Sequence, residues 1–380
     1  MKNLQIMKHI LIFSSHAPSL INFRLPLIKE LLRKGNKVSV ATTKHKFVDN
    51  LKNQLIDLGV NIIIFSVSRS GLNILQEYKS YREMRIIIQN CNPDIVIAYN
   101  SKPVIYVGII LKNFPKITYC PLITGLGYVF STDNIFTRII LKYLVIKLYQ
   151  EALKSATKVI FQNKDDASLF SKLKIIKNNN LTRVVNGTGV DLNAYPFSNL
   201  PSKPIFLMIS RLLVDKGVRE YVQAAQIVRS RIPNATFQLA GYLDENPSSI
   251  SFKELQSWIK QGDIQFLGEI ESVQYILKSC RFYVLPSYRE GTPRSTLEAL
   301  STGRPVITTD VPGCRETVIH KKNGLLVPPK NSEALAKAMI TLLEEKDETI
   351  QAMAKESYLI AKDKYQIEKV NKSILSIIGL

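Results

Sequence analysis

The chain has 380 residues, 46% of them hydrophobic and 22% charged, with 51 lysines and arginines against 31 acids for a formal net charge of +20. That composition excludes a disordered chain, and the length exceeds one ordinary core and fits two domains. The charge is uneven. Residues 1–200 hold 27 Lys+Arg against 11 Asp+Glu, a balance of +16, and residues 201–380 hold 24 against 20, a balance of +4.

In chain order, Ile10 to Phe13 reads as a strand, Pro26 to Lys34 as an amphipathic helix stopped by Gly35, and Lys37 to Ala41 as a second strand. Strand, helix and strand at this spacing make a right-handed βαβ unit and a parallel sheet. Strands follow at Val60 to Phe65, Ile95 to Ala98, Ile117 to Tyr119 and Lys158 to Phe161. A second series starts at Ile205 to Ile209 and continues through Thr236 to Ala240, Ile264 to Phe266, Arg281 to Leu285 and Val306 to Thr309. Helices are expected at Val218 to Arg231, Val273 to Lys278, Leu297 to Ser301 and Glu333 to Glu344, with a last helical stretch over Tyr358 to Leu380. The fold class is therefore α/β, with two doubly wound, Rossmann-like domains. A hinge is expected near Asp191 to Pro204, where Pro196, Pro201 and Pro204 cluster.

The basic first half implies a polyanionic partner. No nucleic-acid motif is present, so the expected partner is an anionic membrane surface and not nucleic acid. A composition merely rich in lysine would raise the charge of both halves alike. No apolar run approaches the ~18 residues needed to cross a bilayer; Pro103 to Leu111 comes nearest. Phe136 to Lys154 sets Arg138, Lys142, Lys147 and Lys154 among Ile, Leu, Val and Tyr, which fits a helix lying at an interface or one buried with lysines at its rim. Cys91, Cys120, Cys280 and Cys314 lie far apart, and no secretory leader is legible, so reduced thiols are expected. There is no Asp-x-Asp pair and no His/Cys cluster with ligand spacing, so no metal is expected.

The richest segment runs from Ser287 to Glu298, after the strand that ends at Leu285-Pro286. Glu290 and Glu298 bracket a Gly291-Thr292-Pro293-Arg294 loop and a helix start. Unsatisfied N–H groups and the positive dipole end seat a phosphoryl group, and flanking carboxylates accept hydrogen bonds from sugar hydroxyls. Taken alone, the pattern also fits a strand, a turn and a helix with two incidental glutamates. Upstream, Ser210 to Gly217 follows a strand and opens a helix, and its Arg211 and Lys216 could neutralise a diphosphate.

Glu-x7-Glu after a short apolar strand, with a Gly-x-Pro loop between the acids, resembles the signature of retaining family 4 glycosyltransferases of the GT-B fold. Thr308 to Glu316, Asn323 to Pro329 and Ile123 to Phe130 match in the same order, so the resemblance covers most of the chain. Within that family the chain is similar to bacterial enzymes that add an N-acetylhexosamine to a polyprenyl-diphosphate-linked sugar in glycoprotein, O-antigen or capsule assembly. The resemblance implies two domains facing a cleft. Residues 1–195 would bind acceptor and membrane, residues 196–357 would bind the UDP-sugar, and residues 358–380 would return to the first domain. It implies a peripheral enzyme on the cytoplasmic face of the inner membrane, with no cofactor beyond its substrates.

By the same resemblance Arg211 and Lys216 stabilise the leaving diphosphate, Glu290 contacts the transferred sugar and Glu298 the ribose. The loop Gly291, Thr292, Pro293 and Arg294 offers backbone N–H groups, and Leu267, within Ile264 to Glu269, lies where the base is seated. In the first domain, Ser14 to Arg24 replaces the commoner glycine-rich loop. His16, Asn22, Arg24 and Lys102 are candidates for the acceptor, with surface roles as the plain alternative. Gly125 and Gly127 stand where many relatives carry a histidine, and they suggest backbone contact with the reacting centre. A UDP-sugar 2-epimerase of the same fold is the alternative activity.

Overall fold

The computed structural model describes residues 7–44, 53–67, 74–126, 130, 136–244, 246, 248–270 and 272–380, with side chains of the helix that opens at Phe136 described from Ile140 onward. The chain divides into two units, Met1–Thr188 with Val370–Leu380, and Gly189–Lys369.

The sheet of the first unit contains β1 (His9–Ser14), β2 (Lys37–Thr43), β3 (Asn61–Phe65), β4 (Ile95–Tyr99), β5 (Thr118–Tyr119), β6 (Leu122–Ile123), β7 (Val159–Phe161) and β8 (Thr182–Val184). Its order is β3-β2-β1-β4-β6-β7-β8, with β5 beside β4, and every pairing is parallel. Both faces are covered, which is why β1 and β4 read as unbroken apolar runs and do not alternate. Leu11, Phe13, Val96 and Ala98 meet Met84, Ile88 and Val107 on one side. Ile10, Ile12, Ile95 and Ile97 meet Leu27, Ile28 and Leu31 on the other. The C-terminal helix Ile367–Ile378 covers that second face with Val370, Ile374, Leu375 and Ile378, a stripe at helical spacing.

The second unit holds β9 (Ile205–Ile209), β10 (Thr236–Ala240), β11 (Gln265–Gly268), β12 (Phe282–Leu285), β13 (Val306–Thr309) and β14 (Gly324–Val327). The order β11-β10-β9-β12-β13-β14 is again all parallel. Phe206 on β9 stacks between Phe237 and Phe282, with centroids 5.3 and 4.9 Å away. Such aromatic pairs contribute about 1 kcal/mol each beyond their buried area. Arg304 is fully buried and gives its guanidinium to carbonyls and a hydroxyl. Nη1 donates to Cys280 O at 2.8 Å and Nη2 to Ser198 Oγ at 2.6 Å. A buried cation is tolerable when its donors are satisfied, and here it ties the segment before β9 to the core.

Two expectations shift. The division falls at Thr188/Gly189, ahead of the proline cluster expected to form the hinge. The terminal stretch is not one element. Helix Asp347–Ile360 and a π-helical turn at Ala361–Tyr365 belong to the second unit, and only Val370–Leu380 belongs to the first. The change of partner follows burial: Ala361 and Tyr365 pack in the second core, while Val370 onward carries the apolar stripe of the first.

Candidate active site

In each sheet the strand order reverses once, between β1 and β4 and between β9 and β12. At such switch points the loops leaving the two central strands diverge and open a crevice at their carboxyl ends. The predicted donor residues lie at the second of these. After β9 the chain makes a tight turn at Val214–Lys216 and enters helix Val218–Arg231 through Gly217, at φ +73°. A Cβ on Gly217 would lie 2.2 Å from the Pro286 carbonyl oxygen, so only glycine lets this loop rest on the exit of β12. Tyr288 N–H donates to Asp215 O at 2.8 Å across the same seam.

This lacing brings Lys216 and Glu290 together. Lys216 Nζ lies 2.5 Å from Glu290 Oε1, and Ser287 Oγ donates to the same oxygen at 2.9 Å. Both side chains of the ion pair are 15% exposed, so neither charge is well solvated without the other. Glu290 N–H donates to Pro312 O at 3.0 Å, and Gly313, at φ +83°, would bring a Cβ within 2.3 Å of Glu290 O. The Val311-Pro312-Gly313 phrase thus holds the acidic loop from the β13 side. Cys314 is buried beside it. Desolvation pushes its thiol up to about 12, which leaves it protonated and without nucleophilic character at neutral pH.

Arg211 Nη1 donates to Asp244 Oδ2 at 2.9 Å. Asp244 is itself fixed, since its Oδ1 accepts from Asn246 N–H at 3.0 Å and its N–H donates to Ser249 Oγ at 3.2 Å. Helix Arg294–Ser301 starts three residues before the expected Leu297, and the loop Gly291, Thr292 and Pro293 before it is buried. Arg294 Nε donates to Glu298 Oε1 at 2.7 Å, one turn on. Glu298 is 6% exposed. Burial raises its carboxyl above the usual carboxylate range, opposed by Arg294 and by a hydrogen bond from the Tyr195 hydroxyl. Leu267 lies on β11, one residue before its end, with β10 between it and β9.

The switch point of the first unit has different chemistry. Asn100, at φ +69°, precedes helix Ser101–Leu111, and its Oδ1 accepts from Ser14 Oγ and Ser15 N–H, both at 3.2 Å. Ser19 Oγ lies 3.1 Å from Ser14 Oγ and 3.0 Å from Tyr99 OH. Arg24 is buried, with its guanidinium 4.8 Å above the Tyr99 ring. The expected loop Ser14 to Arg24 ends in a π-helical turn, Leu20–Arg24, which turns Arg24 inward and leaves Asn22 exposed. His16 is half-buried, and its N–H donates to Ser14 Oγ at 3.1 Å. Lys102 pairs with Glu77, which also accepts from Tyr106 OH. Gly125 is half-buried at φ +124°, a conformation open to glycine, and Gly127 lies outside the described residues.

Asp244 and Tyr195 were not foreseen, and Ser287 and Asn100 were given no role of their own. Asp244 and Tyr195 reach the site from loops remote in sequence. A signal for Asn100 exists in its place between a strand and a helix start, since asparagine is among the few non-glycine residues enriched at positive φ. Among the described residues no group of three or more His, Cys, Asp or Glu side chains gathers as a metal site. No helix among them is long and apolar enough to cross a membrane.

Two family models match, "Glycosyl transferase 4-like" over residues 9–163 and "Glycosyl transferases group 1" over residues 203–345. The chain is 32% identical over 349 residues to the N,N'-diacetylbacillosaminyl-diphospho-undecaprenol alpha-1,3-N-acetylgalactosaminyltransferase of Campylobacter jejuni, covering 88% of this chain and 89% of that protein. It is 23% identical to the UDP-Gal:alpha-D-GlcNAc-diphosphoundecaprenol alpha-1,3-galactosyltransferase of Escherichia coli, over 73% of each chain. The crystal structure of Anabaena HepE in complex with UDP superposes with a TM-score of 0.74 at 19% identity, covering 98% of this chain and 100% of that one. The chain belongs to the group 1, family 4-like glycosyltransferases. It is a glycosyltransferase with the two parallel α/β units of the GT-B class. Both family models are transferase models, and the epimerase alternative finds no support.

Proposed function

We propose that this enzyme transfers an N-acetylhexosamine from a UDP-sugar to a polyprenyl-diphosphate-linked saccharide, with retention at the anomeric carbon. The similarity to the Campylobacter jejuni enzyme over 88% of the chain carries the substrate class. The Lys216–Glu290 pair at the β9/β12 switch point carries the mechanism.

In this reading the pair holds the site ready. Each charge satisfies the other until the donor arrives, when the diphosphate takes over Lys216 and a sugar hydroxyl takes over Glu290. Arg211, oriented by Asp244, completes the positive charge on the diphosphate. The C1–O bond breaks with its electrons passing to the β-phosphate oxygen. The acceptor hydroxyl attacks C1 from the same face, and its proton passes to that oxygen. A covalent route would instead need a carboxylate under the ring, as in retaining hydrolases. Glu298 accepts from the ribose hydroxyls. The buried Gly291-Thr292-Pro293 loop and Arg294 border the phosphate, and Leu267 borders the base. His16, Asn22, Arg24, Lys102, Gly125 and Gly127 serve the acceptor. Two fixed cations meet the leaving-group charge, so the reaction is expected to proceed without metal. Residues 1–188 with the terminal helix would take the acceptor, and residues 189–369 the nucleotide. The basic first unit would hold the enzyme on the cytoplasmic face of the inner membrane. Helix Phe136–Ala152 supports that placement, because Ile140, Tyr143 and Leu144 are exposed on it and Lys147 lies 5.4 Å from the Tyr143 ring.

The test is UDP release from UDP-GalNAc and UDP-GlcNAc, with and without a polyprenyl-diphosphate-sugar, in EDTA. Acceptor-dependent release in EDTA is expected with one donor. Release only after divalent metal is added would overturn metal independence, and no release from either donor would overturn the donor class.

A further inference from the structure

Helix Ile74–Cys91 is apolar on two faces. One sends Met84, Ile87 and Ile88 into the core of the first unit. The other is exposed. Ile74, Tyr78 and Ile86 stand 81%, 61% and 47% open, interleaved with exposed Lys79, Arg82 and Arg85. Every exposed position on this helix is apolar, cationic or an amide, and none is acidic. Its two acids lie off this stripe and are engaged. Glu77 takes Lys102 and Tyr106 of helix Ser101–Leu111, while Glu83 accepts from Ser66 N–H at 2.6 Å and lies 3.8 Å from Lys79.

A helix that needed only to cover the sheet would present polar residues to water on this side. Large apolar side chains set among cations fit a different environment. We propose that the outer face of helix Ile74–Cys91 is a docking surface for anionic lipid, its isoleucines and tyrosine entering the headgroup layer while the lysine and arginines meet lipid phosphates. The charge pattern selects this occupant. In a two-fold dimer the same stripe would meet itself, placing three cations of each copy against three of the other. A surface carrying negative charge removes that conflict. Continuity supports the choice, because helix Ser101–Leu111 packs against both this helix and Phe136–Ala152, so both lie in one helical layer. The proposal deepens the membrane placement above and assigns it to a second helix.

Vesicle co-sedimentation of the full chain tests it without donor or acceptor, so a wrong substrate assignment would leave this result untouched. The probes are phosphatidylcholine vesicles and the same vesicles doped with phosphatidylglycerol. The wild type is expected to bind only the doped vesicles, and less at high salt. Ile74→Ser/Tyr78→Ser/Ile86→Ser and Arg82→Glu/Arg85→Glu should each weaken binding by about tenfold or more. Both variants change exposed positions and should melt with the wild type. The proposal is overturned if the wild type binds neither vesicle, or if both variants bind as it does. It is equally overturned if light scattering shows a dimer that the serine variant abolishes, since the stripe is then a self-interface.

Discussion

The two switch points share a topology and differ in chemistry. Between β9 and β12 the loops bring opposite charges together: Lys216 with Glu290, and nearby Arg211 with Asp244 and Arg294 with Glu298. Between β1 and β4 the same kind of crevice is built from Ser14, Ser19, Tyr99 and Asn100, with Arg24 stacked on the tyrosine ring. The parallel sheet fixes where a crevice opens, and the loop residues decide what it can hold. A charge-rich point with paired acids suits a sugar nucleotide, whose diphosphate and hydroxyls need cations and carboxylates. A hydroxyl-rich point with one guanidinium suits a saccharide joined to a single anionic group. On this comparison the donor site should be the more sensitive to loss of one charge.

The largest effect is expected from Lys216→Ala, which should lower kcat on the order of 10²- to 10³-fold, as for other losses of a charge-stabilising donor. Glu290 would then lose its cationic partner while remaining 15% exposed, so a lower Tm should accompany the loss. An unchanged kcat in steady-state UDP release would break the assignment. Glu298→Gln should raise the donor KM by about tenfold to a hundredfold, the scale of a hydrogen bond to a charged group, with little change in the acceptor KM. Its pH behaviour sharpens the test. The folded-state carboxyl is raised above 4.5, so folding favours the protonated form and the wild type loses stability as pH rises through that raised value. The Tm difference between variant and wild type should therefore move in favour of Glu298→Gln between pH 4 and neutrality. A difference independent of pH, read by calorimetry, would refute the raised value.

In the first unit, Arg24→Met keeps the packing length but removes the charge. It should raise the acceptor KM by about tenfold with the donor KM unchanged, the pattern of a lost ground-state contact. A shift in donor KM instead would erase the division of labour between the switch points. The smallest effect belongs to Tyr99→Phe, which removes the hydroxyl facing Ser19 and should cost about 1 kcal/mol of stability in denaturant titration.

Some misreadings along the chain share a cause. Helix Ile74–Cys91 was not foreseen, because apolar residues on opposite faces blur the single stripe that marks an amphipathic helix. Helix Ser101–Leu111 showed only as an apolar run, since a helix buried nearly all round has no polar face to set the period. The strands β6 and β8 were not foreseen either. The terminal stretch read as one helix because local propensity does not reveal that its two ends pack in different cores.

By itself the sequence determined the alternation of strand and helix in two series, the glycine and proline punctuation, and the local phrases that carry Arg211, Lys216, Glu290 and Glu298. Each of these rests on spacing within a few residues, where periodicity and turn chemistry act. Tertiary structure alone decided which strands became neighbours, and so where the crevices opened. It also decided that Asp244 would orient Arg211, that Tyr195 would reach Glu298, and that Lys102 would be held by Glu77. Those pairings form between residues distant in sequence, and their energy depends on burial, which no local pattern encodes.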